Sequence, residues 1–268
     1  YIDNLIAEQD SLRFQPEIIA YDRNLNLTDL LFRYGVRINP SLVMDLQCDF
    51  LPFAVGGTGE NPQFEFLHWN YYPLFEGNAT HTINKNLGLV AGRFVNSIDT
   101  ITTAGINKTV LLSSSPNSRV ISTPALISLN ENRNAPEDEK FKQSGIPVAV
   151  LLEGKFTSLY RNRVSKSQQD SMNAYGTPFR DVSGENKMII IGDGDMALND
   201  VSAKEGPLPL GLNLFTAGSQ YEYQFANREF LLNCLEYLVN NPTISETRNK
   251  DIVLRLQDKK KVQEGRTL

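Results

Sequence analysis

The chain has 268 residues, of which 41% are hydrophobic and 21% are charged, and its formal net charge is -5. This size and composition are ordinary for a globular protein and exclude disorder throughout. The acidic balance also argues against a general nucleic-acid-binding surface, and we predict no nucleic-acid partner, because phosphate binding requires a concentrated excess of Lys and Arg. No apolar run reaches the roughly eighteen residues that a membrane-spanning helix needs.

The first third of the chain carries two helical patterns. Apolar residues at helical spacing precede Pro16, which predicts a helix at the start of the chain. Because the pattern begins at Tyr1, we interpret the chain as an N-terminally truncated fragment of a longer protein. A second helix is predicted over residues 28–34, with Thr28 as its N-cap and Gly35 as its stop.

Short apolar runs along the chain predict β-strands. They lie at residues 42–46, 51–55, 87–91, 109–112, 146–152 and 188–191. Residues 162–186 are predicted to form a long polar loop, and residues 227–239 an amphipathic helix. The run at 188–191 has four consecutive large apolar residues, which suits a strand buried on both faces. These elements predict an α/β fold with a layered, largely parallel sheet and helices on both faces.

An acidic, glycine-rich turn follows the run at 188–191. In open α/β sheets the carboxyl ends of the strands form the usual ligand-binding edge. Asp193, Asp195 and Asp200 are therefore candidate metal ligands, although the pattern is not that of an EF-hand. The turn also fits a dinucleotide fingerprint, but its carboxylates would repel a pyrophosphate, and we predict no cofactor. The alternative is that the Asp and Gly residues only shape the turn.

Residues 64–75 are dense in aromatic side chains. Trp69, Tyr71 and Tyr72 are candidate members of a surface that binds a partner or ligand, because amphipathic rings are common in such surfaces. The favoured alternative is that these rings pack in a small core under a loop.

No catalytic constellation is visible in the sequence. No serine or cysteine lies on a nucleophile elbow, and His68 and His81 lack a local catalytic signature. Cys48 and Cys234 are the two cysteines, and packed thiols are favoured over a disulfide between them, although the pairing stays open.

Several stretches resemble the GldG family of gliding-motility-associated ABC-transporter auxiliary proteins of Bacteroidetes. They span nearly the whole chain and lie at residues 30–46, 96–100, 108–116, 189–195 and 227–234.

The resemblance implies a fold similar to flavodoxin-like and class I glutamine-amidotransferase-like proteins. It also implies a periplasmic domain, anchored to the inner membrane by helices outside this fragment, that works beside an ABC permease and an ATPase. Residues 1–242 would form this extracytoplasmic domain, and residues 243–268 a tether toward a further membrane helix. The resemblance supplies no catalytic residues.

Two functional hypotheses follow from the sequence. The leading one is a non-enzymatic accessory domain of an ABC transporter that acts through protein contacts or ligand capture, in gliding motility or export. The alternative is a degenerate or metal-dependent hydrolase that uses Asp193 and Asp195.

Overall fold

The computed structural model describes residues 1–58, 61–130 and 138–239. The predicted tether therefore lies outside the described residues. The strands are β1 (Leu5–Ile6), β2 (Glu17–Asp22), β3 (Val36–Ile38), β4 (Ser41–Asp45), β5 (Cys48–Thr58), β6 (Asn61–Gly77), β7 (Val90–Ala91), β8 (Ile98–Thr100), β9 (Ile106–Ser113), β10 (Ser118–Ser122), β11 (Ala125–Ser128), β12 (Pro147–Thr157), β13 (Val182–Ile191), β14 (Val201–Ser202) and β15 (Gly206–Pro207). The helices are α1 (Thr28–Tyr34), α2 (Lys166–Ala174) and α3 (Asn227–Val239).

The largest sheet has the strand order β13-β12-β9-β6-β5, with β7 paired to β6. A smaller sheet has the order β1-β2-β11, and β4 pairs with β10, β3 with β8 and β14 with β15. Every strand pairing among the described residues is antiparallel.

The predicted layered, largely parallel α/β fold is therefore wrong, and so is the flavodoxin-like or amidotransferase-like architecture. The structure is mostly antiparallel β-sheet. A parallel sheet needs a crossover, usually helical, between neighbouring strands. Here β12 and β13 are neighbouring strands and pair antiparallel, from Ala149 opposite Ile191 to Thr157 opposite Val182.

The apolar run that suggested a parallel strand is buried on both faces for a different reason. Ile189 and Ile191 of β13 pack into a core with Phe230 and Cys234 of α3. Ile190, which points to the opposite face, packs into a separate core beneath α1. Burial on both faces thus reflects two cores that share one sheet, and it does not determine strand direction.

A third core lies between the β1-β2-β11 sheet and strands β4, β5 and β6. Its largest members are the aromatic side chains Trp69, Tyr71 and Tyr72 of β6, all of which are buried. Tyr71 and Tyr72 are consecutive residues, and both are buried in this core. The Tyr72 ring packs against the ring of Phe94. This third core contains the predicted aromatic site, whereas the acidic turn contributes Met196 to the core with Phe230 and Cys234.

The predicted helices are confirmed at two of three places. Helix α3 has the predicted bounds, and α1 runs from Thr28 to Tyr34 and is stopped by Gly35, whose φ of 86° is left-handed. The N-cap of α1 is Leu27 and not Thr28. The helix predicted at the start of the chain is wrong, because β1 and a 3-10 helix at Gln9–Arg13 form there.

Candidate functional site

The acidic turn, residues 192–200, follows directly from the end of β13. The Gly192 N–H donates to the Val148 carbonyl at 2.9 Å, and the Gly192 carbonyl accepts from the Asn96 N–H at 2.8 Å. A Cβ at position 192 would lie 2.6 Å from the Asn96 carbonyl oxygen, so the close approach requires glycine. The turn is thereby fixed against residues 91–96, and a short 3-10 helix, Asp195–Ala197, continues it.

Asp193 is buried and holds two segments of backbone together. Its Oδ2 accepts the N–H of Arg93 at 2.9 Å, and its Oδ1 accepts the N–H of Asp195 at 2.7 Å. Burial raises the pKa of Asp193 to about 8, and the neighbouring Asp195 carboxylate acts in the same direction. Asp193 therefore serves as a structural link between residues 92–93 and the turn.

Asp200 is engaged by Arg93 through a bidentate ion pair. Arg93 Nη1 lies 2.8 Å from one carboxylate oxygen and Nη2 lies 2.5 Å from the other, which also accepts the Leu214 N–H at 2.9 Å. Burial acts to raise the pKa of Asp200, but the Arg93 guanidinium holds it below its ordinary value. The guanidinium also lies 5.1 Å from the centre of the Tyr72 ring.

The three aspartates predicted as metal ligands do not converge on one point. The Asp193 carboxylate accepts hydrogen bonds from two backbone N–H groups, and the Asp200 carboxylate is paired with Arg93. Asp195 is therefore the one carboxylate of the three that neither of these contacts engages. Among residues 1–58, 61–130 and 138–239, no group of three or more His, Cys, Asp or Glu residues has a metal-binding arrangement. This geometry gives no support to the hydrolase hypothesis.

Asp195 borders a small cavity that we call the polar chamber. Its volume is about 30 Å³, and its polar lining residues are Asp49, Tyr72, Arg93, Asp195, Asn213 and Asn227. Sequence reasoning identified Tyr72 and Asp195 but missed the other four. No local signal marks them, since Asp49 and Asn213 are 164 residues apart in the chain.

The predicted aromatic surface lies in the core. Trp69, Tyr71 and Tyr72 are 0%, 1% and 2% exposed. Trp69 Nε1 donates to the Ser128 carbonyl at 3.1 Å, and the Tyr71 hydroxyl donates to the Leu126 carbonyl at 3.2 Å. In the fold as described, these three rings are not available as a contact surface, and the alternative interpretation of a packed cluster fits their burial.

The exposed part of the aromatic segment lies nearer the β5–β6 turn. Phe64 is 59% exposed and stands opposite Ala54 of β5 in the register. It borders a cavity of about 550 Å³ that we call the apolar groove. The apolar lining of this groove is Leu12, Pro16, Leu51, Pro52, Phe53, Ala54, Phe64, Trp69, Leu129 and Phe215.

Both cysteines are free and buried. The Cys48 Sγ lies 3.6 Å from the Asn70 side-chain oxygen, whereas Cys234 lies on α3 and packs in the core with Phe230. Packed thiols, the favoured prediction, are what the structure shows.

Comparison with known proteins gives one family. The family model described as ABC-type uncharacterized transport system matches residues 1–234. The chain belongs to this family. It is thus an auxiliary component of an ABC-type transport system, which agrees with the broader part of the resemblance seen in the sequence.

No curated protein and no solved structure matches the chain. Within the described part of the chain, no helix combines the length and apolarity needed to cross a bilayer.

Proposed function

We propose that this chain is an extracytoplasmic, non-enzymatic domain of a membrane-anchored ABC transport system and that it binds the permease of that system. Membership of the transport family and the GldG-like stretches in the sequence support this proposal. The ATPase would associate indirectly, through the permease. A role in gliding motility or in export is the finer form of the same proposal.

The observation that carries the proposal is the apolar groove together with its exposed rim. Phe64 is 59% exposed and Val55 is 45% exposed, and both lie on the β5–β6 hairpin. Exposed apolar residues beside a concave apolar surface are typical of protein contact sites. The groove is wide enough for one or two large side chains of a partner segment.

The groove also offers polar groups at its edge. Gln9, Asp10 and Asn130 line it beside the apolar residues. An apolar centre with a polar rim is the usual anatomy of a contact that forms between folded proteins. We therefore expect the partner to insert an aromatic or aliphatic side chain into the apolar groove and to remain hydrated at the rim.

A charge at the rim tests the proposal. We expect Phe64→Asp in the full-length protein to lower the amount of permease and ATPase that copurifies from native membranes by about tenfold, since the contact would bury an unpaired carboxylate. Tyr175→Asp is the matched control, because Tyr175 is an 85% exposed aromatic residue at the end of α2. Equal copurification by the two variants would contradict the proposal.

A further inference from the structure

Helix α3 has a second apolar face besides the one that packs on the sheet. Its core side is formed by Phe230, Cys234 and Tyr237, all of which are buried. Five further apolar residues of the helix are half-buried or exposed, and we call them the α3 stripe: Leu231, Leu232, Leu235, Leu238 and Val239. Residues three and four positions apart lie on the same side of a helix, so the stripe is one continuous surface.

The α3 stripe has the spacing of a surface that pairs with another helix. Leu231, Leu235 and Leu238 follow one another at intervals of four and three residues, which is the repeat of the seam between paired helices. Leu232 and Val239 lie beside this seam and widen it. A helix that is apolar around most of its circumference is ordinarily covered on more than one side. The described residues bury α3 on its core side and leave most of the stripe exposed, which indicates a contact surface.

Opposite charges lie toward the two ends of the α3 stripe. Arg228 lies one helical turn before Leu232, and Glu236 lies one turn after it. Arg228 Nη1 is 4.0 Å from a carboxylate oxygen of Glu229, and both side chains are more than half exposed, so this ion pair is weak. The C-terminal end of a helix also carries partial negative charge. The stripe is therefore positive at its start and negative at its end.

We propose that the α3 stripe binds the same stripe of a second copy of this chain, with the two helices antiparallel. A two-fold axis relates the copies, so one self-complementary surface forms both halves of the contact. This arrangement brings Arg228 of each copy to the end of α3 that holds Glu236 in the other copy, where opposite charges attract. A parallel arrangement would place like charges side by side.

The contact is small, since each copy contributes one helix of 13 residues. We therefore expect a reversible monomer–dimer equilibrium and not an obligate dimer. The inference goes beyond the proposed function and is independent of it, because the α3 stripe and the apolar groove share no residue.

Sedimentation of the 268-residue chain over a range of concentrations measures this equilibrium. We expect the wild type to dimerise reversibly and Leu235→Asp to raise the dimer dissociation constant at least about a hundredfold, because each dimer would bury two unpaired carboxylates. Leu126→Asp is the matched control, because Leu126 is 53% exposed on β11, and we expect it to dimerise as the wild type does. A wild-type chain that stays monomeric at every concentration would overturn the proposal, and so would equal dissociation constants for the two variants.

Reversing the charges tests the antiparallel arrangement. We expect Arg228→Glu to raise the dissociation constant about tenfold, since it places like charges at both ends of the contact. Adding Glu236→Arg to the same chain is expected to return the constant to within about threefold of the wild-type value. A double variant that dimerises no better than Arg228→Glu would contradict the antiparallel pairing.

Thiol labelling distinguishes a second copy from any other covering of the stripe. Leu235→Cys introduces one accessible thiol, because Cys48 and Cys234 are buried. We expect this thiol to react rapidly in dilute protein and, at high concentration, only in proportion to the chains that remain monomeric, whereas Leu126→Cys reacts rapidly throughout. Slow labelling of Leu235→Cys at every concentration would mean that another part of the same chain covers the stripe, and rapid labelling at every concentration would mean that nothing does. Either result would refute the proposal.

Discussion

Asp193 is a buried acid whose protonation couples the acidic turn to pH. Its pKa in the folded chain, about 8, lies above the ordinary value of 3.8. The native state therefore holds a proton that the unfolded state releases, and the contribution of Asp193 to stability falls as pH rises from about 4 to about 8. Each pH unit in this window costs at most about 1.4 kcal/mol.

Replacing Asp193 isolates this effect. The pKa of His81 is lowered from its ordinary value of 6.5, chiefly by burial. The contribution of His81 to stability therefore rises with pH up to about 6.5, opposite to that of Asp193. We expect the free energy of unfolding of the wild type to fall more steeply between pH 6.5 and 8 than that of Asp193→Asn. Urea titrations at several pH values measure the difference between the two profiles. Parallel profiles would show that Asp193 ionises normally.

Two Arg–Asp ion pairs in the same chain differ in burial. Arg93 and Asp200 have side chains that are 23% and 18% exposed, whereas Arg37 and Asp99 are 52% and 48% exposed. Removing one partner of a buried pair leaves an uncompensated charge and costs roughly 3–5 kcal/mol, whereas exposed pairs contribute less than about 1 kcal/mol.

We therefore expect Arg93→Met to destabilise the chain by about 3 kcal/mol and Arg37→Met by less than about 1 kcal/mol. Denaturation in urea measures both changes. Similar losses in the two variants would mean that the ion pair between Arg93 and Asp200 does not stabilise the turn more than an exposed pair would.

At the scale of elements, strand β2 has side chains that alternate between the core and the outer face. Ile18 is 5% exposed and lies in the core, whereas its neighbour Ile19 is 47% exposed and faces outward opposite Leu126. Adjacent residues of one strand point to opposite faces of the sheet. Two isoleucines at adjacent positions therefore lie in different environments, one in the core and one on the outer face.

The pair Ile18→Ala and Ile19→Ala is a matched comparison. We expect Ile18→Ala to lower the free energy of unfolding by about 2–5 kcal/mol, because it leaves a cavity, and Ile19→Ala by less than about 1 kcal/mol. The reverse order would mean that β2 has a different register or that its outer face is covered.

The sequence was most informative where local patterns decide structure. The apolar runs identified the positions of β4, β5, β9, β12 and β13, and spacing with a glycine stop identified α1 and α3. Helix α2 was missed although Ser165 and Gln168 form a capping box at its start, a signal visible in the sequence. Its residues are mostly exposed, so it has no apolar stripe to indicate a helix.

What the sequence could not give was the pairing of distant elements. Strand direction follows from partners far away in the chain, and apolar runs such as 188–191 look alike in parallel and antiparallel sheets. The partner of Asp200 is 107 residues distant, and the polar chamber draws on six separate segments. The burial of Trp69, Tyr71 and Tyr72 likewise depends on residues distant in the chain, such as Ile18 and Ile127, which pack in the same core.

At the scale of the whole molecule, the two thiols report global unfolding. Cys48 and Cys234 are both buried, Cys234 in the core that α3 covers and Cys48 at the start of β5, and burial raises the pKa of Cys234 to about 12. A protonated, inaccessible thiol reacts slowly with thiol reagents. We expect both to be labelled at the rate of unfolding and at the same denaturant concentration. Labelling of either one under native conditions would reveal local opening of its core.

The apolar groove is the proposed contact site of this chain within the ABC transport system. Photocrosslinking from position 64 of the full-length protein in native membranes, compared with position 175, tests it most directly. We predict that position 64 crosslinks to the permease and that position 175 does not. Crosslinks from position 64 only to proteins outside the transport system, or the same partners from both positions, would contradict it.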